Sequence, residues 1–456
     1  MLNSVSLKNF KAFGKKAEIP FAPLTILCGP NNSGKSSILH SMLLLKQTDE
    51  SDSAFPLCPV GRYGSFGSYR DLAHDKSLPS LGIGLSVLFP REVPLKFARR
   101  ALGLAHLRKK EAFVDLSVNL YLQFVEDANN ECGFRLRQGD LSLSVHGAKK
   151  HPSLRWNARR LIRTTDAGLP LERLSLPLHV VNFWPAHLER RGHEYGITGL
   201  PGIFNGALFR LKRYFQSISY LGPLREDPHR YYLLDKEFFA DLGPRGENTW
   251  NALAHSPVRK VMFFDAIRKR QNTMSLREAV NWWLRYCDIA DQITTKKRSG
   301  DPIYQVVLKG DFKGTRSIVD LGFGVSQILP VLVMGLLGGQ NELLLFEQPE
   351  IHVHPAIQVR LADFFIAIAK SGRQVVVETH SEHIINRIRT RILEERLGPH
   401  EVSILFLEKD DQHESRFEKI QFAQDGQIAN WPDGFFDTHV TEIKAQSKAL
   451  RKRIRA

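Results

Sequence analysis

The sequence predicts an α/β fold in which a parallel sheet is flanked by helices, and three short stretches carry this prediction. The first is LTILC, Leu24–Cys28, an apolar run that leads through GPNNSGKS into the apolar, helix-length segment SSILHSMLLL. The other two are LLLF, Leu343–Phe346, and QVVV, Gln374–Val377, apolar runs of strand length bounded by polar turns. Runs of this kind are typical of buried strands in a parallel sheet covered by helices.

Length and composition indicate an ordinary globular protein with more than one lobe. At 456 residues the chain exceeds the usual size of a single hydrophobic core, and 43% of its residues are hydrophobic and 24% charged. An excess of 63 Lys and Arg over 48 Asp and Glu gives a net charge of +15. Such a charge favours contact with DNA or RNA, but it also suits a merely solvated basic surface, and both interpretations stay open.

Cysteine spacing and the hydrophobic pattern both indicate the cytoplasm. The four cysteines are widely spread and form no CxxC pair, which argues against a zinc ribbon and against a disulfide framework. The N-terminal segment lacks the apolar run of a signal peptide. The most apolar stretch, Ile328–Gly339, is too short to cross a bilayer and contains Pro330, so it predicts a buried helix. We therefore expect a cytoplasmic protein without a membrane partner.

The first strand and helix enclose GPNNSGKS, which matches the phosphate-binding pattern GxxxxGK[ST] in the required strand-to-helix context. Small residues let successive backbone N–H groups wrap a polyphosphate, and the helix N terminus adds a partial positive charge. Lys35 would reach the outer phosphates, and Ser36 would place its hydroxyl on Mg²⁺. The predicted nucleotide-binding residues are Gly29, Pro30, Asn31, Asn32, Ser33, Gly34, Lys35, Ser36 and Ser37.

The middle of the chain is predicted to hold strands followed by a helical subdomain. Alternation of apolar and polar residues favours strands over Phe113–Val125 and Phe134–Val145, joined by a polar turn. Helical periodicity is present over Trp250–Ile289. Two clusters of basic residues either contact phosphate backbones or form a solvated face. They are Lys96, Arg99, Arg100, Arg108, Lys109 and Lys110, then Lys149, Lys150, Arg155, Arg159, Arg160 and Arg163.

Polar groups follow the later strands at their carboxyl ends. Glu347 and Glu350 come directly after LLLF, and His380 follows QVVV within ETHSEH. Ligands of open α/β sheets bind at the carboxyl ends of strands, so these groups are placed to meet a metal or a reacting phosphate. A glycine turn, DLGFG, predicts a helix that begins at about Ser326, and the N terminus of such a helix is a second anion site.

Taken in order, these motifs resemble the ABC-type ATPase heads of SMC proteins, double-strand-break repair ATPases and OLD nucleases. The segment NWPDGFFD, Asn430–Asp437, narrows the resemblance to AAA-family ATPases with an NWPxGFFD tail, a group that includes ATPase subunits of Septu-type anti-phage systems. The resemblance covers both ends of the chain well and the middle poorly. It implies an α/β fold, namely an ABC/SMC-like P-loop ATPase head with a mixed sheet and helices, and a β-containing and helical insertion between its two halves.

The resemblance implies four segments. Residues 1–75 would be the N-terminal part of the head with the Walker A loop, and residues 76–300 would be the insertion and helical subdomain. Residues 301–440 would be the C-terminal part of the head, and residues 441–456 a basic tail. The expected ligands are ATP and Mg²⁺.

The resemblance also assigns roles residue by residue. Gly29–Ser36 would be the Walker A loop, with Ser36 as a ligand of Mg²⁺. Glu347 would hold the same ion in the Walker B position. Gly324 and Ser326 would form a signature that contacts ATP bound to a second subunit, and His380 would be the switch histidine near the γ-phosphate. The implied assembly is a homo-oligomer with an even number of ATP-closed heads.

The chain departs from the family pattern at Gln348, where most members of the wider group have a glutamate as general base. An amide orients water but cannot accept its proton, and general-base assistance contributes roughly 10²–10⁴-fold in rate. We therefore expect slow or conditional hydrolysis, unless Glu350 substitutes as the base. Gln47, after the first helix, is either the glutamine of a lobe switch or part of a surface helix end.

Two functions remain open at this point. The first is an ATP-dependent switch that regulates a partner effector, an HNH-type nuclease, in anti-phage defence. The second is a DNA-binding ATPase of DNA repair or chromosome maintenance, which fits the basic clusters although heptad runs for a coiled-coil arm are missing. We do not expect the chain itself to be a Toprim nuclease, because only a short basic stretch follows the tail motif.

Overall fold

The computed structural model describes most of the chain, and the structural statements below concern the described residues. These are residues 1–52, 55–94, 113–128, 133–145, 151–165, 176–190, 193–196, 202–233, 241–265, 270–297, 303–311, 314–423, 427–430, 432 and 445–446. The first basic cluster and most of the NWPDGFFD tail lie outside them, so the predictions made for those segments stay predictions.

The strands fall into two large sheets and three small ones. In chain order they are β1 Leu2–Lys8, β2 Ala17–Pro20, β3 Leu24–Cys28, β4 Val60–Gly61, β5 Gly64–Ser65, β6 Leu81–Pro94, β7 Phe113–Glu126, β8 Phe134–Ser144, β9 Ser153–Trp156, β10 Arg160–Thr165, β11 Leu176–Val181, β12 Trp184–Arg190, β13 His193–Gly196, β14 Ile218–Leu221, β15 Tyr232–Leu233, β16 Lys260–Asp265, β17 Arg270–Ser275, β18 Gln292–Lys297, β19 Ile303–Lys309, β20 Arg316–Ser317, β21 Leu343–Glu347, β22 Gln374–Glu378, β23 Val402–Lys409 and β24 Ser415–Lys419.

The helices of the described residues are numbered in chain order. They are α1 Lys35–Asp49, α2 Tyr69–Leu72, α3 Gly202–Gln216, α4 Thr249–His255, α5 Leu276–Tyr286, α6 Phe323–Leu337, α7 Pro355–Lys370 and α8 Glu382–Leu393, with a short 3₁₀ helix at Ile318–Asp320. Among the described residues, no helix combines the length and the hydrophobicity needed to cross a membrane.

A six-stranded sheet in the order β14-β21-β22-β3-β23-β24 forms the centre of the molecule. Its first five strands are parallel, and β24 pairs antiparallel with β23. Because β22 lies between β3 and β21, the carboxyl ends of these three strands meet at one edge. Glu347 and Glu378 are directly paired there across β21 and β22.

Both faces of this sheet are covered, as the apolar runs predict. Leu343 and Leu345 of β21 join a core that includes α1 and the second large sheet, whereas Leu344 and Phe346 join the core formed with α6, α7 and α8. All four side chains are fully buried. Alternate residues of one strand therefore serve two different hydrophobic cores, which fixes the strand register.

The second large sheet is antiparallel and has the order β13-β12-β11-β10-β9-β8-β7-β6-β1-β2. The hairpin predicted from residues 113 to 145 is present, because β7 and β8 pair over most of their length. The strands expected in an insertion therefore continue a sheet that begins with the N-terminal strands β1 and β2.

Two secondary-structure predictions are wrong. The segment Trp250–Ile289 is not helical throughout, because the antiparallel pair β16 and β17 separates α4 from α5. Val261 and Phe263 are buried and alternate with less buried neighbours, so the local period is two. Helix α6 begins at Phe323 and not at about Ser326, because Gly322 already takes the extended conformation of a cap.

A buried ion network joins α7 to α8 and so fixes the chain just after His380. The carboxylate of Asp363, only 2% exposed, accepts hydrogen bonds from Arg391 Nε at 2.6 Å, Arg387 Nη2 at 2.8 Å and the Tyr286 hydroxyl at 2.7 Å. Burial alone raises the pKa of Asp363, but these donors outweigh burial and hold the pKa below its ordinary value.

We expect Asp363→Asn to lower the free energy of unfolding by about 3–5 kcal/mol, because two guanidinium groups then lose their buried carboxylate. The folded pKa lies below the unfolded one, so this stabilisation is complete above a pH of about 4 and is lost as the pH falls through the folded pKa. Urea unfolding between pH 7 and pH 3 measures both effects, and the difference between wild type and variant should shrink at low pH.

Asp320→Asn is the matched control, because it breaks the exposed ion pair between Asp320 and Arg230. Exposed pairs contribute at most about 1 kcal/mol. A loss for Asp363→Asn no larger than that of the control would contradict the stabilising role of the network.

Candidate nucleotide-binding site

The phosphate loop, defined here as residues 29–36, connects the end of β3 to the start of α1. Gly29 and Gly34 have φ angles of 136° and 96°. A side chain on Gly34 is also excluded by space, because a Cβ there would lie 2.7 Å from Ser415 Oγ. No side chain caps the N terminus of α1, so the positive end of the helix faces the loop. The loop therefore has the shape and polarity that suit a phosphate chain.

The side chain of Lys35 lies within this loop. Its Nζ donates hydrogen bonds to the carbonyl oxygens of Gly29, at 3.1 Å, and Pro30, at 2.7 Å. Burial lowers the pKa of Lys35, and the nearby carboxylate of Glu378 acts in the opposite direction. The loop residues differ in exposure: Pro30, Asn31 and Asn32 are exposed, Ser36 is half-buried, and Ser33, Gly34, Lys35 and Ser37 are buried.

Two carboxylates lie beside the loop at the ends of neighbouring strands. Ser36 Oγ donates a hydrogen bond to Glu378 Oε1 at 2.9 Å, and the Tyr220 hydroxyl donates to Glu347 Oε2 at 2.6 Å. Burial raises the pKa of Glu378 to about 7, with the neighbouring Glu347 contributing. Burial also raises the pKa of Glu347, against the hydrogen bonds from Tyr220 and Ser36. The pair therefore concentrates negative charge in a poorly solvated place.

The donor set at this point fits a divalent cation. Glu378 Oε2 is buried and has no hydrogen-bond partner among the described residues. A serine hydroxyl and two carboxylates are the hard oxygen ligands that Mg²⁺ prefers. The described residues contain no group of three or more His, Cys, Asp or Glu arranged as a metal site by themselves. Phosphate and water oxygens would therefore complete the coordination, as is usual for Mg²⁺.

Gln348 follows the acidic strand in a strained backbone conformation. Its φ is 44°, in the left-handed region, and its N–H donates to the carbonyl oxygen of Glu378 at 2.8 Å. The side chain is only half-buried. Its amide thus stands at the same sheet edge as the phosphate loop and the two carboxylates.

Glu350 and His380 are joined by a hydrogen bond between the two strand-end turns. The buried Glu350 Oε1 accepts the backbone N–H of His380 at 2.7 Å. Burial raises the pKa of Glu350, and this N–H acts against it. Burial of part of the imidazole lowers the pKa of His380, with the charge of Lys35 adding to the effect. Both effects favour the neutral imidazole, and His380 is exposed.

The N terminus of α6 packs against the turn that follows Glu350. Gly322 caps this helix and is exposed, and Gly324 lies so close to the turn that a Cβ would be 2.8 Å from the carbonyl oxygen of His352. His354, two residues on, accepts the N–H of Ala356 with its Nδ1 and caps α7. The glycine turn and the acidic turn are thus brought together.

Ser326 does not lie at the exposed end of α6. It is fully buried one turn inside the helix, on the same face as the buried Leu329 and Val333. The expectation that its hydroxyl contacts a second subunit is therefore not supported by its position. At this helix end the backbone of Gly322 is exposed, and so is Asp320, whose carboxylate pairs with Arg230.

Gln47 is buried and is not part of a surface helix end. Its Nε2 donates to the carbonyl oxygen of Cys58 at 2.8 Å, and its Oε1 accepts the N–H of Tyr63 at 3.0 Å. Both ends of the amide thus brace the loop after α1.

Sequence reasoning did not select Glu378, Tyr220 or Arg225. Glu378 is the last residue of β22 and obeys the rule that identified Glu347, but the predicted strand stopped one residue early at Val377. Tyr220 lies in the edge strand β14, and Arg225 follows this strand. The strand is short and is followed directly by turn-forming residues, so its sequence does not indicate a strand. The sequence carries no comparable signal for these two.

Three family models match successive parts of the chain. Residues 1–126 match an AAA ATPase domain, and residues 150–386 match the family described as "AAA domain, putative AbiEii toxin, Type IV TA system". Residues 397–446 match a protein of unknown function (DUF3696). No curated protein matches the chain.

Several solved SMC heads are similar to the chain at low sequence identity. One is the SMC head domain from Thermotoga maritima, with 10% identity, a TM-score of 0.39 and coverage of 92% of this chain and 99% of that one. Another is an Smc head bound to the C-winged helix domain of ScpA, with 14% identity, a TM-score of 0.46 and coverage of 92% and 97%. A third is an Smc head with an extended coiled coil, bound to the C-terminal domain of ScpA derived from Pyrococcus furiosus, with 12% identity, a TM-score of 0.42 and coverage of 92% and 96%.

The predicted P-loop ATPase fold, with a mixed sheet and helices, is confirmed. Within it, the phosphate loop and the two acidic strand ends lie at the carboxyl ends of the three neighbouring strands β3, β22 and β21. Because the family model over residues 150–386 spans more than half of the chain and includes both acidic strand ends, the chain belongs to the AAA-domain family of ATPases.

Proposed function

We propose that the chain is a cytoplasmic ATP-dependent switch that holds ATP and Mg²⁺ between two copies of its head and thereby regulates a partner effector. One observation carries the nucleotide part of this proposal. The phosphate-loop groups of Lys35 and Ser36 converge with Glu347, Gln348 and Glu378 at a single sheet edge.

In this proposal the phosphate loop wraps the polyphosphate of ATP, and Lys35 exchanges its loop carbonyls for phosphate oxygens. Ser36 and Glu347 serve as ligands of Mg²⁺, with Glu378 directly behind the serine hydroxyl. When bound, the ion would neutralise charge on the phosphates. The exposed His380, whose pKa the charge of Lys35 helps to lower, would be the switch histidine near the γ-phosphate.

We expect Glu378→Gln to lower the Mg²⁺-dependent part of ATP affinity by about 10–100-fold, the range found when partners of metal ligands are removed. The glutamine oxygen still accepts the Ser36 hydroxyl, so the change removes charge more than shape. Fluorescent ATP titrations in Mg²⁺ and in EDTA separate the two contributions.

Glu342→Gln is the control for this substitution. Glu342 directly precedes β21, at the opposite edge of the same sheet. Equal ATP affinities of wild type and Glu378→Gln in Mg²⁺ would show that Glu378 is not part of the metal site.

The second copy of the chain is proposed to contact the nucleotide through the N terminus of α6. This helix end is uncapped by any side chain and carries the exposed Gly322, so its N–H groups suit an anion. The buried Ser326 would act only through the helix it supports. Closure around two nucleotides gives an even number of heads.

Slow turnover is the expected consequence of Gln348 within this site. The half-buried amide can orient a water molecule, but a carboxamide does not take up a proton at neutral pH. Glu350 is held by the His380 N–H and is buried, which makes it a poor substitute for a base facing the loop. ATP would therefore stay bound long enough to act as a signal.

For the partner, we propose a nuclease of the HNH type in bacterial anti-phage defence. The resemblance of the NWPDGFFD tail to that of Septu-type ATPase subunits supports this. Pull-downs of the tagged chain from phage-infected and uninfected cells test it. Recovery of a small nuclease supports the proposal, whereas recovery of repair or chromosome proteins alone would contradict it.

The second candidate function, a DNA-binding ATPase of repair or chromosome maintenance, is favoured by the net charge of +15. Of the second basic cluster, Arg155 is paired with Asp140, which reduces its availability for phosphate contacts. Binding to duplex DNA at increasing salt distinguishes the two functions, because several phosphate contacts produce a steep fall of affinity with salt.

A further inference from the structure

Arg225 follows the edge strand β14 and turns inward beneath Gln348. Its side chain is only 4% exposed. The backbone on both sides is fixed, because the N–H groups of Gly222 and Glu226 donate to the carbonyl oxygens of residues 244 and 245 at 2.8 and 2.9 Å. The backbone that carries Arg225 is therefore held by hydrogen bonds within its own part of the chain.

The guanidinium of Arg225 is hydrogen-bonded to the backbone on both sides of Gln348, the strained residue at the end of β21. Arg225 Nη2 donates to the carbonyl oxygens of Glu347, at 3.4 Å, and Gln348, at 3.2 Å, which lie on the two sides of the Gln348 Cα. Gln348 has a φ of 44° and is also bound through its N–H to Glu378. Its backbone is thus tied at three points, and this determines the direction in which its amide leaves the chain.

Arg225 has more hydrogen-bond donors than the acidic turn accepts. Among the described residues, its Nε and Nη1 are buried without a hydrogen-bond partner. Burial lowers the pKa of Arg225 to about 10, with the carboxylate of Glu350 opposing the shift, so the group stays charged at neutral pH. A buried charge with unused donors is costly to keep, and such groups call for a functional explanation.

We propose that Arg225 is a positioning residue that ties the backbone of Gln348 through the carbonyl oxygens of Glu347 and Gln348 and so orients the Gln348 amide for the attacking water. The inference rests on the proposed ATPase function and adds a residue that acts through Gln348 without touching the nucleotide. Loss of Arg225 should therefore alter turnover while ATP binding is kept.

Arg373 offers a matched control at the other end of the sheet. It is 5% exposed, burial lowers its pKa to about 10, and its Nη1 lacks a partner among the described residues. Like Arg225, it donates to two backbone carbonyls, those of Leu336 and Gly338. It precedes β22 at the edge away from the phosphate loop. Arg373→Gln therefore removes a similarly buried charge from a place that does not contact Gln348.

The first test is hydrogen exchange of the amides from residues 347 to 353 in the full chain. We expect Arg225→Gln to raise exchange in this segment by about tenfold or more, because local opening becomes easier when the tie is lost. Arg373→Gln should leave this segment unchanged. If Arg225→Gln unfolds the chain, Arg225→Lys replaces it, since it keeps the charge and loses the forked geometry. Unchanged exchange in the Arg225 variant overturns the proposal.

The second test is a double-mutant cycle on phosphate release. Where Gln348→Glu accelerates release in the wild type, the same change should give a gain at least about tenfold smaller on the Arg225→Gln background and a full gain on Arg373→Gln. ATP affinity, measured in parallel, should stay within about threefold, which separates positioning from binding. A full gain on Arg225→Gln overturns the inference.

Failure of the proposed function gives a different result from failure of this inference. A wild-type chain that binds no ATP removes the proposed function, and the exchange comparison between the two arginine variants then decides the structural role of Arg225 alone. Binding of ATP together with equal behaviour of the two arginine variants removes only the role of Arg225.

Discussion

Lys35→Ala is expected to lower the affinity for ATP by about 100-fold or more while leaving the fold intact. Each hydrogen bond from a charged donor contributes roughly 1.5–3 kcal/mol, and about 1.4 kcal/mol corresponds to a factor of ten. Lys35 Nζ donates hydrogen bonds to the carbonyl oxygens of Gly29 and Pro30, within the phosphate loop. Titration with a fluorescent ATP analogue in the presence of Mg²⁺ measures the effect directly.

Lys46→Met is the control for Lys35→Ala. Lys46 lies on the same helix, is 2% exposed and donates to Glu50 and to the Phe215 carbonyl. Its loss should reduce stability without changing the ATP affinity of the folded chain. Wild-type affinity for Lys35→Ala, or an equal loss for Lys46→Met, would contradict the assignment of the phosphate loop.

Gln348→Glu is expected to raise the rate of phosphate release roughly 10²–10⁴-fold, the contribution of a positioned general base. Glutamate has nearly the same size as glutamine, and both residues bear the same strain at a φ of 44°. The substitution therefore changes the chemistry at this position and little else. Single-turnover measurements of phosphate release separate this step from ATP binding.

Glu350→Gln is the companion variant that tests for a substitute base. A glutamine oxygen can still accept the His380 N–H that Glu350 accepts now. We therefore expect Glu350→Gln to change the rate of phosphate release by less than about tenfold if Glu350 does not act as the general base. Rapid turnover of the wild type that neither substitution affects would contradict slow hydrolysis, and loss of turnover in Glu350→Gln alone would make Glu350 the base.

The sequence was sufficient where one segment determines its own structure. The strands at Leu24–Cys28 and Gln374–Glu378 and the phosphate loop all carry local signals, namely apolar runs and small residues. The convergence of their polar ends also follows from sequence, because parallel strands bring their carboxyl ends to one edge.

The remainder depended on packing between distant segments. Whether Ser326 faces solvent is decided by the neighbours of α6, which bury the face shared with Leu329 and Val333. Tyr220 and Arg225 reach the acidic turn only because the short edge strand β14 pairs with β21 more than a hundred residues later in the chain. No local sequence pattern predicts such a pairing.

The central claim, that ATP closes two heads upon each other, is tested most directly by the mass of the chain in solution with and without nucleotide. Sedimentation of the wild type in ATP and Mg²⁺ is predicted to show twice the mass seen in ADP, and Lys35→Ala is predicted to keep the lower mass in both. A wild-type mass that does not change at ATP concentrations shown by titration to saturate the site would contradict the claim.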